Sequence, residues 1–226
     1  MTPLRWPAAL AGGDTTEEYA LAFDAGRDRR LLIVPALFDE ANKLRRLTVE
    51  IMRRLDGAGI DAILIDLPGC NESEMPLDSV TLGDWHSATT SAVIHFGATH
   101  LLTFRGGALV APDGLPGWAH APVKGQSLLR QMLRARVIAS REAGREESTQ
   151  GLQELGSREG LDLAGYRLSA DMFAALSEAE PVSREDLRVL EQTAIGGPGL
   201  WLRAEPDYDE AQAEALAATI AIGMNP

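Results

Sequence analysis

The chain has 226 residues, a mass of 24.3 kDa and 45% hydrophobic residues. That suits one domain with a substantial core and excludes wholesale disorder. A net charge of −12 and a pI near 4.8 argue against broad nucleic-acid binding, because phosphate backbones select positive surfaces, but they leave room for a small anion site. A single cysteine, Cys70, excludes an intrachain disulfide, and no apolar run approaches the roughly 20 residues that span a bilayer.

The lead-in MTPLRWPAALAGG reads as too short and interrupted for a signal peptide, so a cytoplasmic location without membrane insertion is expected. Residues 1–30 read as polar and variable, with one edge strand around Glu18–Phe23. Leu31–Val34 is a short apolar run stopped by Pro35, as in a parallel strand buried on both faces. From Asn42 to Leu55 the period changes: Leu44, Leu47, Ile51 and Leu55 form a helical stripe, with Asp39 or Asn42 as the cap. DAILIDLPG is a second buried strand, ending at Asp66 and turned by Pro68–Gly69. Thr81 and Asp84 form a capping box for a helix to about Phe96.

Thr99–Phe104 is the next strand and runs straight into RGGALV. The order β-helix-β-helix-β predicts a parallel sheet covered by helices. A short strand is expected in GWAHAPV and a helix from Gln126 to about Ala143 with Leu129, Met132, Leu133 and Val137 inward. Gly144–Glu159 reads as a polar excursion, Leu161–Tyr166 as a short strand, and Ala170–Ser177 and Arg184–Leu190 as helices. Residues 126–190 thus form a helical cap or lid segment within a single domain, 1–226. LWLRA is expected as a final strand, and Asp207 with Glu210 as the cap of an alanine-rich last helix.

The strand and tight turn at Thr103-Phe104-Arg105-Gly106-Gly107 match the spacing of a nucleophile elbow, G-x-S-x-G, in which small neighbours let the backbone bend sharply. Only the last glycine, Gly107, is kept. Arg105 occupies the nucleophile position. A guanidinium stays protonated and offers donors without a usable lone pair, so it cannot replace serine in acyl transfer. Two roles are open to it: holding an anion, helped by a helix N-terminus, or closing the pocket through an internal salt bridge.

The segments Phe38–Arg46 (FDEANKLRR) and Asp66–Ser73 (DLPGCNES) resemble motifs of the exosortase A system-associated hydrolases, although Asn71 departs from that family's glycine. The elbow resembles the second hydrolase type of that system, in which arginine also replaces serine. Pro122–Gly125, Leu128–Arg136, Ala164–Tyr166, Leu200–Trp201 and Glu205 extend the likeness. The resemblance implies an α/β-hydrolase-like, mostly parallel sheet flanked by helices, with a reduced C-terminal part and a small helical middle segment. It also implies a role beside bacterial exopolysaccharide and protein-sorting systems, and fold alone does not fix function.

The candidate catalytic residues are Arg105, Glu40 and His120. Candidate ligand contacts are Asn42, Arg45, Asp66, Arg105, Trp118 and Trp201. Glu40 and Asn42 lie in the loop after the first clear strand, where such folds supply an oxyanion-hole amide. Arg45 and Arg46 leave their helix about 100° apart, so only one of them can face a pocket. His86, His95 and His100 read as structural or surface residues, and none of the four histidines follows the final strands, where a triad histidine belongs. Asp162, Glu205 and Asp207 are acid candidates by location only. Cys70 reads as an inert thiol, Ser73 and Ser87 sit at no elbow, and Tyr166 suits a pocket wall or an ordinary core. No cofactor loop and no metal-ligand spacing is found.

Three functions compete at this point. One is an accessory protein that binds a small anionic or carbohydrate-related ligand through Arg105. Another is a hydrolase or acyltransferase in which Arg105 steadies an oxyanion while Glu40, Asp66 or His120 moves the proton. The third is a structural partner in a homodimer or pathway assembly.

Overall fold

The computed structural model describes residues 1–225. In chain order it contains β1 (Thr2–Ala9), β2 (Thr15–Phe23), β3 (Arg30–Val34), α1 (Asp39–Gly57), β4 (Asp61–Ile65), α2 (Leu82–Phe96), β5 (His100–Phe104) and β6 (Gly117–His120). Then come α3 (Gly125–Glu142), α4 (Thr149–Glu159), β7 (Leu161–Leu163), β8 (Tyr166–Leu168), α5 (Ala170–Glu178), β9 (Leu187–Leu190), α6 (Gln192–Ile195) and α7 (Glu210–Gly223).

Seven strands form one sheet in the order β1-β2-β4-β3-β5-β6-β9. β4, β3, β5, β6 and β9 run parallel, while β2 pairs antiparallel with both β1 and β4. Alternate residues of each central strand feed opposite faces, as strand geometry requires. Leu32, Val34, Ile63 and Ile65 join Trp85, Ala88 and Ala92 of α2 and the apolar side of α3–α5 on one face. Leu31, Ile33, Leu64 and Phe104 join Leu44, Leu47, Ile51 and Leu55 of α1 and Leu216 and Ile220 of α7 on the other.

The Thr81–Asp84 capping box forms as expected, with both reciprocal bonds in place. Several boundaries differ from the sequence reading. Residues 1–30 hold a full β1–β2 hairpin instead of one edge strand. Pro3 and Pro7 disguise β1, and they are tolerated because β1 pairs on one side only. Both proposed caps of α1 lie inside the helix, and the capping position falls on Phe38, which makes no side-chain cap bond. Gly144–Glu159 is largely the helix α4, capped by Ser148; it hides because only Leu152 and Gly156 are fully buried, with Leu155 partly buried beside them. Gly156 is needed there, since a Cβ would come within 2.6 Å of the Phe173 ring.

The expected helix at Arg184–Leu190 is a turn followed by β9, which extends the sheet beside β6. Arg184 ties that turn to the carbonyls of Pro112 and Leu115, both at 2.7 Å. The expected strand in LWLRA is a single 3₁₀ turn, Leu200–Leu202, so β9 remains the sheet's last strand among the described residues. α7 is capped by Asp209, whose side chain accepts from Gln212 N, and not by Asp207.

Candidate functional site

The site lies where β3, β4, β5 and β6 end. β5 leaves Phe104 in extended conformation and turns at Arg105, which has φ of 50°. A non-glycine residue there costs about 1–2 kcal/mol, and such strain persists only where surrounding contacts impose it. Gly107 permits the turn: a Cβ on it would stand 2.3 Å from the Pro35 carbonyl oxygen. Thr103, at the first glycine position of the motif, is fully buried, and its hydroxyl has no partner among the described residues. The segment after Arg105 is a six-residue 3₁₀ turn, Arg105–Val110. The helix N-terminus expected to reinforce an anion site is therefore not formed.

Glu40 reaches the elbow from the first turn of α1. Phe38, with φ of 56° and ψ of −138°, redirects the chain so that Glu40 turns inward and is almost completely buried. Arg105 donates from Nε to Glu40 Oε2 at 3.0 Å and from Nη2 to Oε1 at 3.1 Å. Its Nη1 donates to the carbonyl of Ala121 at 3.0 Å, and Ala121 is itself left-handed at φ of 46°. The guanidinium carbon lies 4.2 Å from the Trp201 ring centroid, a cation–π distance. Three of the five guanidinium donors are thus engaged, and the side chain is 12% exposed against 3% for Glu40.

His120 ends β6 on the same side. Its ring meets Phe104 at 5.6 Å and Trp201 at 6.0 Å, both edge-on. Burial, with a smaller push from the Arg105 charge, lowers its pKa to about 4. Neither ring nitrogen makes a hydrogen bond among the described residues. A neutral, enclosed imidazole of this kind has no acid behind it to orient it as a triad would. Asp162 pairs with Arg167 at 2.9 Å, Asp207 lies 3.8 Å from Arg203, and Glu205 is exposed.

The other expected contacts disperse. Asn42 lies on the exposed side of α1 and makes no hydrogen bond among the described residues, so Glu40 alone of that pair meets Arg105. Trp118 points into the α7 face of the core, close against Gly223, and not toward the crevice. Asp66 and Arg45 form a separate group at the end of β4, 3.4 Å apart, while Arg46 lies over the Tyr208 ring. Ser87 lies within α2 and not on the turn at Arg105.

That second group also holds Glu18, which sequence reasoning placed only on an edge strand, and Asn71, noted there only as a departure from glycine. Asn71 Nδ2 donates to Asp66 Oδ1 at 2.6 Å. Its φ of 52° explains why asparagine stands where the resembling motif has glycine, since asparagine tolerates the left-handed region. Glu18 is fully buried and accepts from Ser73 Oγ at 2.8 Å. Ser73 Oγ in turn accepts from Gly69 N, which fixes the loop and leaves no free hydroxyl. The signal for Glu18 was available: it shares a strand face with Ala20 and Ala22. Burial raises the pKa of both Glu18 and Asp66. Burial and these two carboxylates push the Cys70 thiol up to about 12, leaving it without thiolate character at neutral pH.

Tyr166 packs edge-on against Phe38 at 5.4 Å and, with Pro35–Phe38, Leu67 and Gly69–Asn71, encloses a cavity of about 60 Å³. That space suits a water or two and not a substrate. Among the described residues, no group of three or more His, Cys, Asp or Glu is placed to hold a metal, and no helix is long and apolar enough to cross a membrane.

No family model and no curated protein sequence matches the chain. Solved structures do. A candidate hydrolase from Agrobacterium vitis S4 superposes with a TM-score of 0.53 at 15% identity, covering 97% of this chain and 98% of its own. The esterase domain of a Rhodothermus marinus protein gives a TM-score of 0.53 at 11% identity, with 98% and 99% coverage. At these identities the likeness speaks to fold alone. Together with the mostly parallel sheet, the helices on both faces and the sharp turn after β5, it gives this chain the α/β-hydrolase fold.

Proposed function

We propose that the chain is a non-catalytic, ligand-binding protein on a hydrolase scaffold, in which Arg105 latches the elbow shut. The observation that carries this reading is the position of Arg105 and the engagement of three of its five donors. It occupies the nucleophile's turn, grips Glu40 in a fork, donates to Ala121 and stacks on Trp201. Covalent acyl transfer from this turn needs a nucleophilic side chain and a base beside it. A guanidinium supplies neither, and all four histidines precede β9.

The ligand class favoured is a small anion or a carbohydrate-related molecule, and the setting is a cytoplasmic accessory role in a bacterial exopolysaccharide or exosortase system. The setting is supported only by the sequence resemblance at residues 38–46 and 66–73 and at the elbow. Arg105 would meet a ligand only through the hydrogen left on each Nη. A rearranged hydrolase has less support, because the Glu40 oxygens already accept from Arg105 and His120 is enclosed.

The test is incubation with a fluorophosphonate probe and with panels of esters, thioesters and amides, beside thermal-shift screening of anionic and carbohydrate metabolites. The reading expects no covalent label, no turnover above buffer, and a stabilising shift from at least one metabolite. Turnover that disappears in R105A or E40Q, or a stoichiometric serine adduct, would overturn it.

A further inference from the structure

A groove between the outer side of α3 and the turn at Leu200–Leu202 meets the elbow through Trp201 and is not lined by Arg105 or Glu40. Its volume is about 550 Å³, within the roughly 300–1,000 Å³ usual for small-ligand pockets, against about 60 Å³ for the cavity beside the elbow. Arg130, Arg134 and Ile138 recur at helical-turn spacing along α3, whose opposite side, Leu128, Leu129, Met132 and Leu133, is buried. Lys43 of α1 lines the same groove, and no carboxylate does, in a chain of net charge −12.

The cations here are under-used. Among the described residues Arg134 makes no ion pair or hydrogen bond, and Arg130 has only a long 3.4 Å contact to Gln126. Lys43 is held by Asp39 at 2.6 Å. The groove is also apolar: Leu202 is 74% and Ile138 60% exposed, two of the few large hydrophobic side chains left open on the molecule. Leaving such groups in water is unfavourable, and a ligand that covers them while answering two free guanidinium groups satisfies both features.

We propose that this groove binds an amphiphilic anion. Its single acidic head, carboxylate or phosphate, meets Arg130 and Arg134, and its apolar body lies on Ile138, Leu202 and Trp201. Trp201 borders both this groove and the Arg105 guanidinium, which places the ligand beside the elbow and outside the crevice. The proposal takes from the preceding reading only that the chain binds a small anion; it does not require an inert elbow.

Isothermal titration with octanoate and octyl phosphate, below their micelle concentrations, tests it; octanol and inorganic phosphate serve as the separate halves. At least one octyl anion binds, each half binds at least about tenfold more weakly, and R130A/R134A costs about tenfold or more. Leu202→Ser weakens binding severalfold, and R141A, an exposed arginine of α3 outside the groove, leaves it unchanged. A preference for one anion assigns the head group. Unchanged affinity in R130A/R134A, octanol binding as tightly as the anions, or no binding of either anion would overturn the proposal. Ester turnover at the elbow would remove the non-catalytic reading and leave this one standing. Silent esterase assays with an unoccupied groove would do the reverse.

Discussion

Substituting Glu40 by Gln tests the latch with little change of shape. Glu40 is 3% and Arg105 12% exposed, so their pair is screened far less than a surface salt bridge. E40Q keeps one carbonyl acceptor but removes the charge that balances the guanidinium. Breaking a buried pair from one side costs about 3–5 kcal/mol, and the retained acceptor places E40Q at about 3 kcal/mol. R105M leaves Glu40 buried and unanswered and should cost about as much. Combining them removes both charges together, so E40Q/R105M should be less destabilised than the sum of the singles by about 2 kcal/mol or more. Urea unfolding of the four proteins, with unchanged m-values, measures this directly. Against a total stability of about 5–15 kcal/mol, such losses are easily read. Single variants within about 0.5 kcal/mol of wild type, with strictly additive effects, would refute the reasoning.

Acid sensitivity should report on His120. Its pKa of about 4 in the folded protein lies below the ordinary 6.5, so the unfolded chain binds the extra proton between these values. The corresponding stability is complete above about pH 6.5 and declines by up to about 3 kcal/mol as pH falls toward 4. H120L should flatten that decline in thermal melts; a slope identical to wild type would count against it. Thr103→Val removes a buried hydroxyl with no partner among the described residues and should be neutral to about 1 kcal/mol stabilising by urea unfolding. Gly107→Ala forces a Cβ to 2.3 Å from Pro35 O and should cost about 3 kcal/mol or more, or abolish soluble expression.

The central sheet was legible in the sequence because β3, β4 and β5 are short apolar runs buried on both faces, and α2 begins with a capping box whose bonds form. Where residues sit on an edge or show a narrow buried stripe, the pattern fails. Prolines mask β1, Val189 of β9 is half exposed, and the inward face of α4 is a leucine and a glycine. At the site, elbow spacing singled out Arg105 and loop position singled out Glu40. The remaining contacts were hidden for physical reasons. The Ala121 carbonyl is aimed by backbone torsion, and Trp201, named from the sequence as a ligand contact, meets Arg105 from a 3₁₀ turn where a strand was expected. Glu18 is legible only from the alternation it shares with Ala20 and Ala22, a weak apolar signal for a buried strand face.

The central claim is that Arg105 is held by the protein's own groups at the turn after β5. Side-chain ¹⁵N NMR of Arg105 tests it most directly. The account predicts a resolved Nε–H resonance with slow solvent exchange and restricted guanidinium rotation, both lost in E40Q. An Arg105 signal exchanging as freely as that of exposed Arg141, and unchanged by E40Q, would contradict it.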